Sequence, residues 1–210
     1  MHIAMAGEYT LRKYNVETGK LVQEVGPFHN TITNIGLNRI GSGGALDYCY
    51  VGTGTNPATQ IDTVMGNRIA TTQTIQTQGS SSSPTTPYWK QESRTFRFGA
   101  GAAAGNITEV GIGWGAAGVT TNYLWSRELT VDSGGNPVTI TVLSNEFLDV
   151  TYTLRYYPNL TDFSGSFMLG ATTYNYTGRI SNVTGGSMNL PFNMTGLTPQ
   201  LGYAGDSCAL

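Results

Sequence analysis

The stretch from Leu124 to Thr153, LWSRELTVDSGGNPVTITVLSNEFLDVTYT, constrains the fold more than any other part of the chain. Apolar residues alternate through Val138, Ile140 and Val142, and again through Leu148, Val150 and Tyr152. Side chains of a strand point to opposite faces in turn, so this pattern marks half-buried strands. Between them Asp132-Ser133-Gly134-Gly135-Asn136-Pro137 is turn chemistry, with Gly for positive φ and a Pro that a central strand excludes. The segment reads as an antiparallel meander. It holds no evident nucleophile or metal ligand, which points away from catalysis.

Similar signals recur on both sides. Tyr9–Tyr14 and Leu21–Val25 flank Glu17-Thr18-Gly19-Lys20 as a hairpin, which Gly26-Pro27 ends. Phe28–Thr33 looks extended. Asn34–Ile40 reads as one short helical turn stopped by Gly41-Ser42-Gly43-Gly44, and a second short helix is expected from Thr59 to Asn67. Asp47–Val51, Ile69–Gln78, Tyr88–Phe98 and Ile107–Trp114 read as strands. The Ser/Pro-rich Gly79–Pro87 reads as a mobile hairpin tip, and Gly99–Gly105 as a bend of small residues. Beyond Pro158 regular patterning stops. One more hairpin, Gly165–Leu169 with Thr172–Ile180, precedes a Gly/Asn/Thr-rich tail.

The expected fold class is therefore all-β: an antiparallel β-sandwich-like domain with one or two short helical turns and an extended C-terminal segment. The expected division is residues 1–158 for the sandwich and 159–210 for a hairpin and assembly segment. A chain of 210 residues suffices for one such domain. No internal repeat is visible.

Charged residues make up only 11% of the chain, against about 25% in typical domains. The surface must be covered by Thr, Ser, Asn, Gln and Gly, and a weakly charged surface repels other proteins little. That suits a chain packed in an assembly. A net charge of −2 argues against nucleic acid, which demands clustered Lys and Arg. Arg94 and Arg97 flank Phe96 and are expected to point away from its ring, on a solvated face. Phe98–Val119 is broken by Asn106 and Glu109 and is not a membrane span. The opening residues lack the features of a signal peptide, so folding in the cytoplasm is expected.

Site candidates are few. His2 and His29 stand without ligand spacing or a nucleophile elbow, so neither a metal site nor a Ser-His-Asp arrangement is expected. Glu128, Glu146 and Asp149 could converge as glycosidase carboxylates, but surface charge is the favoured reading. Gly99–Gly105 lacks the register of a phosphate loop. The Asn-x-Thr sequons at Asn106, Asn159, Asn175, Asn182 and Asn193 are read as composition, not glycosylation sites. Cys49, between Tyr48 and Tyr50, is expected to be a reduced, buried thiol, with a bridge to Cys208 the lesser alternative. Trp89, Trp114 and Trp125 form a candidate aromatic contact surface, against the simpler reading that they fill the core. Gly36, Arg39 and Gly41 mark a structural turn, with Arg39 bracing the fold through a forked contact. No cofactor is expected.

Three segments together resemble a family of tailed-bacteriophage virion proteins described as tail, collar or tail-fibre components. They are Phe28–Gly41 (FHNTITNIGLNRIG), Tyr48–Gly54 with Asn56-Pro57-Ala58, and Phe96–Tyr157, including NITEVGIGW and LWSR. The similarity spans roughly residues 8–157. It implies a virion location, with assembly in the host cytoplasm and no catalytic residue to carry over. Implied partners are copies of the chain and other virion proteins, without nucleic acid or membrane insertion. The alternative is a receptor- or carbohydrate-binding module that meets a bacterial surface glycan. A glycan-degrading enzyme is a distant third.

Overall fold

Every second residue of β1 (Ala4–Asn15) from Gly7 to Lys13 is buried, and the same alternation runs through β12 (Glu146–Tyr157) at Leu148, Val150, Tyr152 and Leu154. These two long strands pair along their whole length and form the centre of a five-stranded antiparallel sheet. The computed structural model describes residues 4–42, 45–83, 85, 87, 89–157 and 163–178. The sheet is completed by β2 (Leu21–His29) beside β1, and by β7 (Trp89–Phe98) and β6 (Ile75–Ser83) beyond β12. A second five-stranded sheet has the order β3 (Thr31–Ile32), β10 (Leu124–Leu129), β9 (Glu109–Gly113), β4 (Tyr48–Gly52) and β5 (Arg68–Thr72). A two-stranded ribbon, β8 (Gly105–Ile107) with β11 (Ile140–Val142), adds to the core. The fold is an all-β sandwich.

The main core lies between the two sheets, where Leu11, Phe96, Phe98, Val150 and Leu154 meet Cys49, Val51, Val110, Ile112 and Trp125. Polar atoms inside it are paired across the layers, as burial demands. Tyr9 Oη lies 2.7 Å from Ser126 Oγ, and Trp125 Nε1 donates to Tyr152 Oη at 2.9 Å.

The second sheet is covered on its other side as well. Tyr50, Met65, Tyr123 and Leu124 form a smaller core there, with Ile35 of α1 (Asn34–Ser42) packed against it. This explains why β9 alternates Val110 and Ile112 with Gly111 and Gly113. A Cβ at Gly111 would lie 2.5 Å from Met65 Sδ, and one at Gly113 would strike the Tyr123 carbonyl. Thr33 caps α1, its Oγ1 accepting from Gly36 N at 3.0 Å. At Gly36 the helix approaches β10 so closely that a Cβ would sit 2.5 Å from Trp125 O.

Several expectations are corrected. The meander is not one sheet: β10, β11 and β12 belong to three different sheets, so the chain crosses layers after the Asp132 turn. That turn itself forms as expected, with Asp132 Oδ1 accepting from Gly134 N and Asn136 N. Gly26-Pro27 does not end β2. Gly26 and Pro27 lie between the pairs Tyr9↔Phe28 and Leu11↔Val25, opposite Thr10 alone, so they form a bulge that spares the proline a ladder bond. The first helix runs past Gly41 to Ser42. No helix forms from Thr59 to Asn67, because the backbone amides there are taken by a buried carboxylate. The expected strand Ile69–Gln78 divides into β5 and β6.

Gly79–Ser83 is not a loop but the second half of β6, paired with Trp89–Ser93. Pro84, Thr86 and Tyr88 lie outside the described residues. The later hairpin forms between β13 (Phe163–Leu169) and β14 (Thr172–Gly178), which pair with each other and with no other described strand. Residues 158–162 and 179–210 lie outside the described residues, as do Cys208 and hence its alternative bridge to Cys49.

Candidate functional site

The most elaborate polar constellation is built on Glu109, at the first position of β9. Its side chain is on the face opposite Val110 and has no solvent exposure. Oε1 accepts from Gly54 N at 3.0 Å and Asn67 N at 2.6 Å, while Oε2 accepts from Gly66 N at 2.9 Å. Arg127 of β10 stands beside it, with Nε 3.7 Å from Oε2. The same guanidinium donates to Asp62 Oδ2 at 3.0 Å and to the Asn56 carbonyl. A buried charge is tolerated when it is paired and hydrogen-bonded; both carboxylate oxygens of Glu109 meet this, whereas Arg127 Nε contributes charge without a hydrogen bond of its own among the described residues. The cluster therefore pins the loop between β4 and β5 onto the second sheet. Cβ atoms at Gly52 and Gly54 would lie 2.4 and 2.5 Å from a carboxylate oxygen, so these glycines make room for Glu109. Sequence reasoning missed this residue. The signal was a lone Glu heading an otherwise apolar strand, downstream of a Gly-x-Gly turn.

The carboxylates considered for glycan chemistry are not brought together. Glu146 and Asp149 have side chains on opposite faces of β12, three residues apart. Glu146 pairs with Lys13 at 3.2 Å and accepts from Leu143 N at 2.8 Å. Asp149 takes a fork from Arg97, at 2.7 and 2.6 Å. Glu128 lies in the other sheet and accepts from Thr31 Oγ1 at 3.2 Å. Glu146 and Asp149 are buried, so the surface-charge reading is corrected for both: each satisfies a cation that a strand brings to it. Arg94 is also corrected. It shares the face of Phe96 and reaches Asp47 at 3.2 Å, whereas Arg97 lies on the opposite face. His29 is exposed, 3.6 Å from Glu8. Among the described residues no His, Cys, Asp and Glu side chains group as metal ligands.

The three tryptophans do not share a surface. Trp125 is wholly buried between the sheets, so it is removed from any contact surface. Trp114 packs against the main core and carries the Arg39 guanidinium over its ring at 5.1 Å. Trp89 lies on the outer face of the first sheet under Arg155, at 4.6 Å. A cation–π contact with Trp114 thus lets Arg39 brace α1 against the end of β9. Within that motif, the packing leaves no room for a side chain at Gly36.

Burial raises the pKa of the Cys49 thiol well above its ordinary value, which makes it an inert core group. Burial likewise raises the phenols of Tyr9, Tyr50 and Tyr152. Exposed features lie elsewhere. Every residue of β6 from Ile75 to Ser82 is exposed, and no described strand pairs with its outer edge. On the hairpin, Phe163, Phe167, Leu169, Tyr174 and Tyr176 are all exposed. No family model, characterised protein or solved structure matches the chain.

Proposed function

We propose that this protein is a non-enzymatic structural component of a tailed phage particle, in its tail, collar or fibre apparatus, and that it works through contacts between subunits. The observation that carries this reading is the contrast between the two edges of the first sheet. The β2 edge is defended by a bulge, Pro27, Glu24 and His29. The β6 edge is nine residues long, uncharged and unpaired by any other described strand, reading Ile75-Gln76-Thr77-Gln78-Gly79-Ser80-Ser81-Ser82-Ser83. Proteins that live alone blunt such edges, because open backbone groups recruit other strands. An assembling subunit can leave one open. The low charge content and the resemblance of residues 8–157 to virion components support the same reading. The surface-receptor alternative gains less support, since Trp125 is buried and guanidinium groups cover Trp114 and Trp89.

The experiment is mass spectrometry with antibody labelling of purified particles from cells expressing the chain with its phage. Regular labelling at one location supports the proposal. Absence from particles, or turnover of host polysaccharide that Glu146→Gln or Asp149→Asn abolishes, would overturn it.

A further inference from the structure

The β13–β14 hairpin presents two unlike faces. On one, the cross-strand pairs are Phe163 with Gly178, Gly165 with Tyr176, Phe167 with Tyr174 and Leu169 with Thr172. On the other, Ser164 meets Thr177, Ser166 meets Asn175 and Met168 meets Thr173. The first face is a continuous aromatic strip. Tyr176 lies over Gly165 and Phe163 over Gly178, so close that a Cβ on either glycine would collide with the ring. The rings of Phe167 and Tyr174 stack at 5.6 Å in the middle of the strip. Leu169 is 68% exposed, and the four rings are each 44–53% exposed. An isolated two-stranded hairpin is marginal in water, and an aromatic strip of this size on a soluble surface marks a contact site.

We propose that this strip packs against the same strip of a second copy of the chain, related by a twofold axis through the Phe167–Tyr174 pair. Two properties select a copy over another partner. From Phe163 to Gly178 there is no charged residue, so self-contact meets no like-charge repulsion and buries no unpaired ion. Apart from the exposed Met168 on the other face, the flanking side chains are hydroxyl and amide groups, which supply no charge pattern to recognise a different protein. The area is also sufficient. At 150–250 Å² per aromatic side chain, the exposed halves of four rings with Leu169 give about 500 Å² per copy. Two copies then bury about 1,000 Å², the lower bound for a specific interface. The inference rests on the assembly reading only in that the chain associates with itself. It is tested on purified chain, so its failure leaves the particle test standing.

The test is sedimentation of the full chain, alone and as Phe167→Thr/Tyr174→Thr, with thiol cross-linking in a Cys208→Ser background. Threonine keeps strand propensity, and thermal melts control for folding. The expected result is a self-associating parent whose dissociation constant rises at least about tenfold in the double variant, with an unchanged melt. Tyr174→Cys should form a disulfide dimer, and Asn175→Cys, on the other face, should not. A monomeric parent, equal association of parent and variant, or equal cross-linking from both faces would overturn the proposal. So would a monomeric Tyr174→Cys variant whose introduced thiol is shielded from reagent, because another segment of the same chain would then cover the strip.

Discussion

Glu109 holds three backbone amides from a loop whose apolar anchoring comes from Met65 and Val64. Glu109→Ala should strand those amides and leave Arg127 beside a void, lowering stability by about 3–5 kcal/mol. Glu109→Gln keeps the volume and one acceptor, so a smaller loss of about 1–3 kcal/mol is expected. Chemical denaturation gives both values, and amide exchange should speed first at Gly54, Gly66 and Asn67. A smaller effect for Ala than for Gln would contradict the pinning role. Gly36 fails by the opposite route. A methyl group there meets the backbone of β10 rather than a flexible side chain, so α1 must lift. Gly36→Ala should cost about 1–3 kcal/mol despite its higher helix propensity, read from the same denaturation curves. A stabilised Gly36→Ala protein would show that the helix shifts freely.

The strands that were legible in the sequence are those whose two faces meet different environments. β1, β7 and β12 alternate because one side meets the core and the other does not. β9 and β4 were found as strands, but their glycines could not announce a second covering layer, since the cover comes from α1 and from loop residues such as Met65. Of the candidate site, the Arg39 bracing role was half legible and its partner Trp114 was not, because the contact joins residues 39 and 114 across the fold. The second half of β6, Gly79–Ser83, was misread as a loop for a related reason. Both its faces are exposed, so no alternation was selected, and only its pairing with β7 makes it a strand. That same isolation makes it testable. Lysines replacing Gln78 and Ser81 should leave the melting temperature within a few degrees, as about 0.5 kcal/mol per exposed substitution implies. They should nevertheless weaken any association that uses this edge, because an inserted charge must be desolvated when a strand pairs there. Static light scattering at rising concentration reads the effect, and unchanged association would exclude β6 from the assembly contacts.

Tyr9, Tyr152 and Cys49 all belong to the single core between the two sheets, and burial raises the pKa of each. The folded protein therefore keeps protons that the unfolded chain releases above its ordinary values of 9.0 for Cys and 10.0 for Tyr. Above those values the unfolded state binds fewer protons, so stability falls as pH rises. The contribution is fully present below pH 9 and is lost progressively above it; denaturation midpoints from pH 8 to 11 should decline accordingly, and less steeply in Cys49→Ala, which removes one of the three groups. Among the described residues the buried members of that core run from Tyr9 to Leu154. The hairpin beyond it pairs with no strand of either sheet. Truncation after Tyr157 should then leave a soluble sandwich with a cooperative melt. Its midpoint should fall no more than about 2–4 °C, the equivalent of 1 kcal/mol for a domain of this size. The truncated chain should also lose the self-association carried by the aromatic strip, because Phe167 and Tyr174 go with it. Circular dichroism and sedimentation on the same samples separate the two effects. If the truncated chain is unfolded while the full chain is a stable monomer, residues 158–210 complete the core, and the sandwich does not stand on its own sheets.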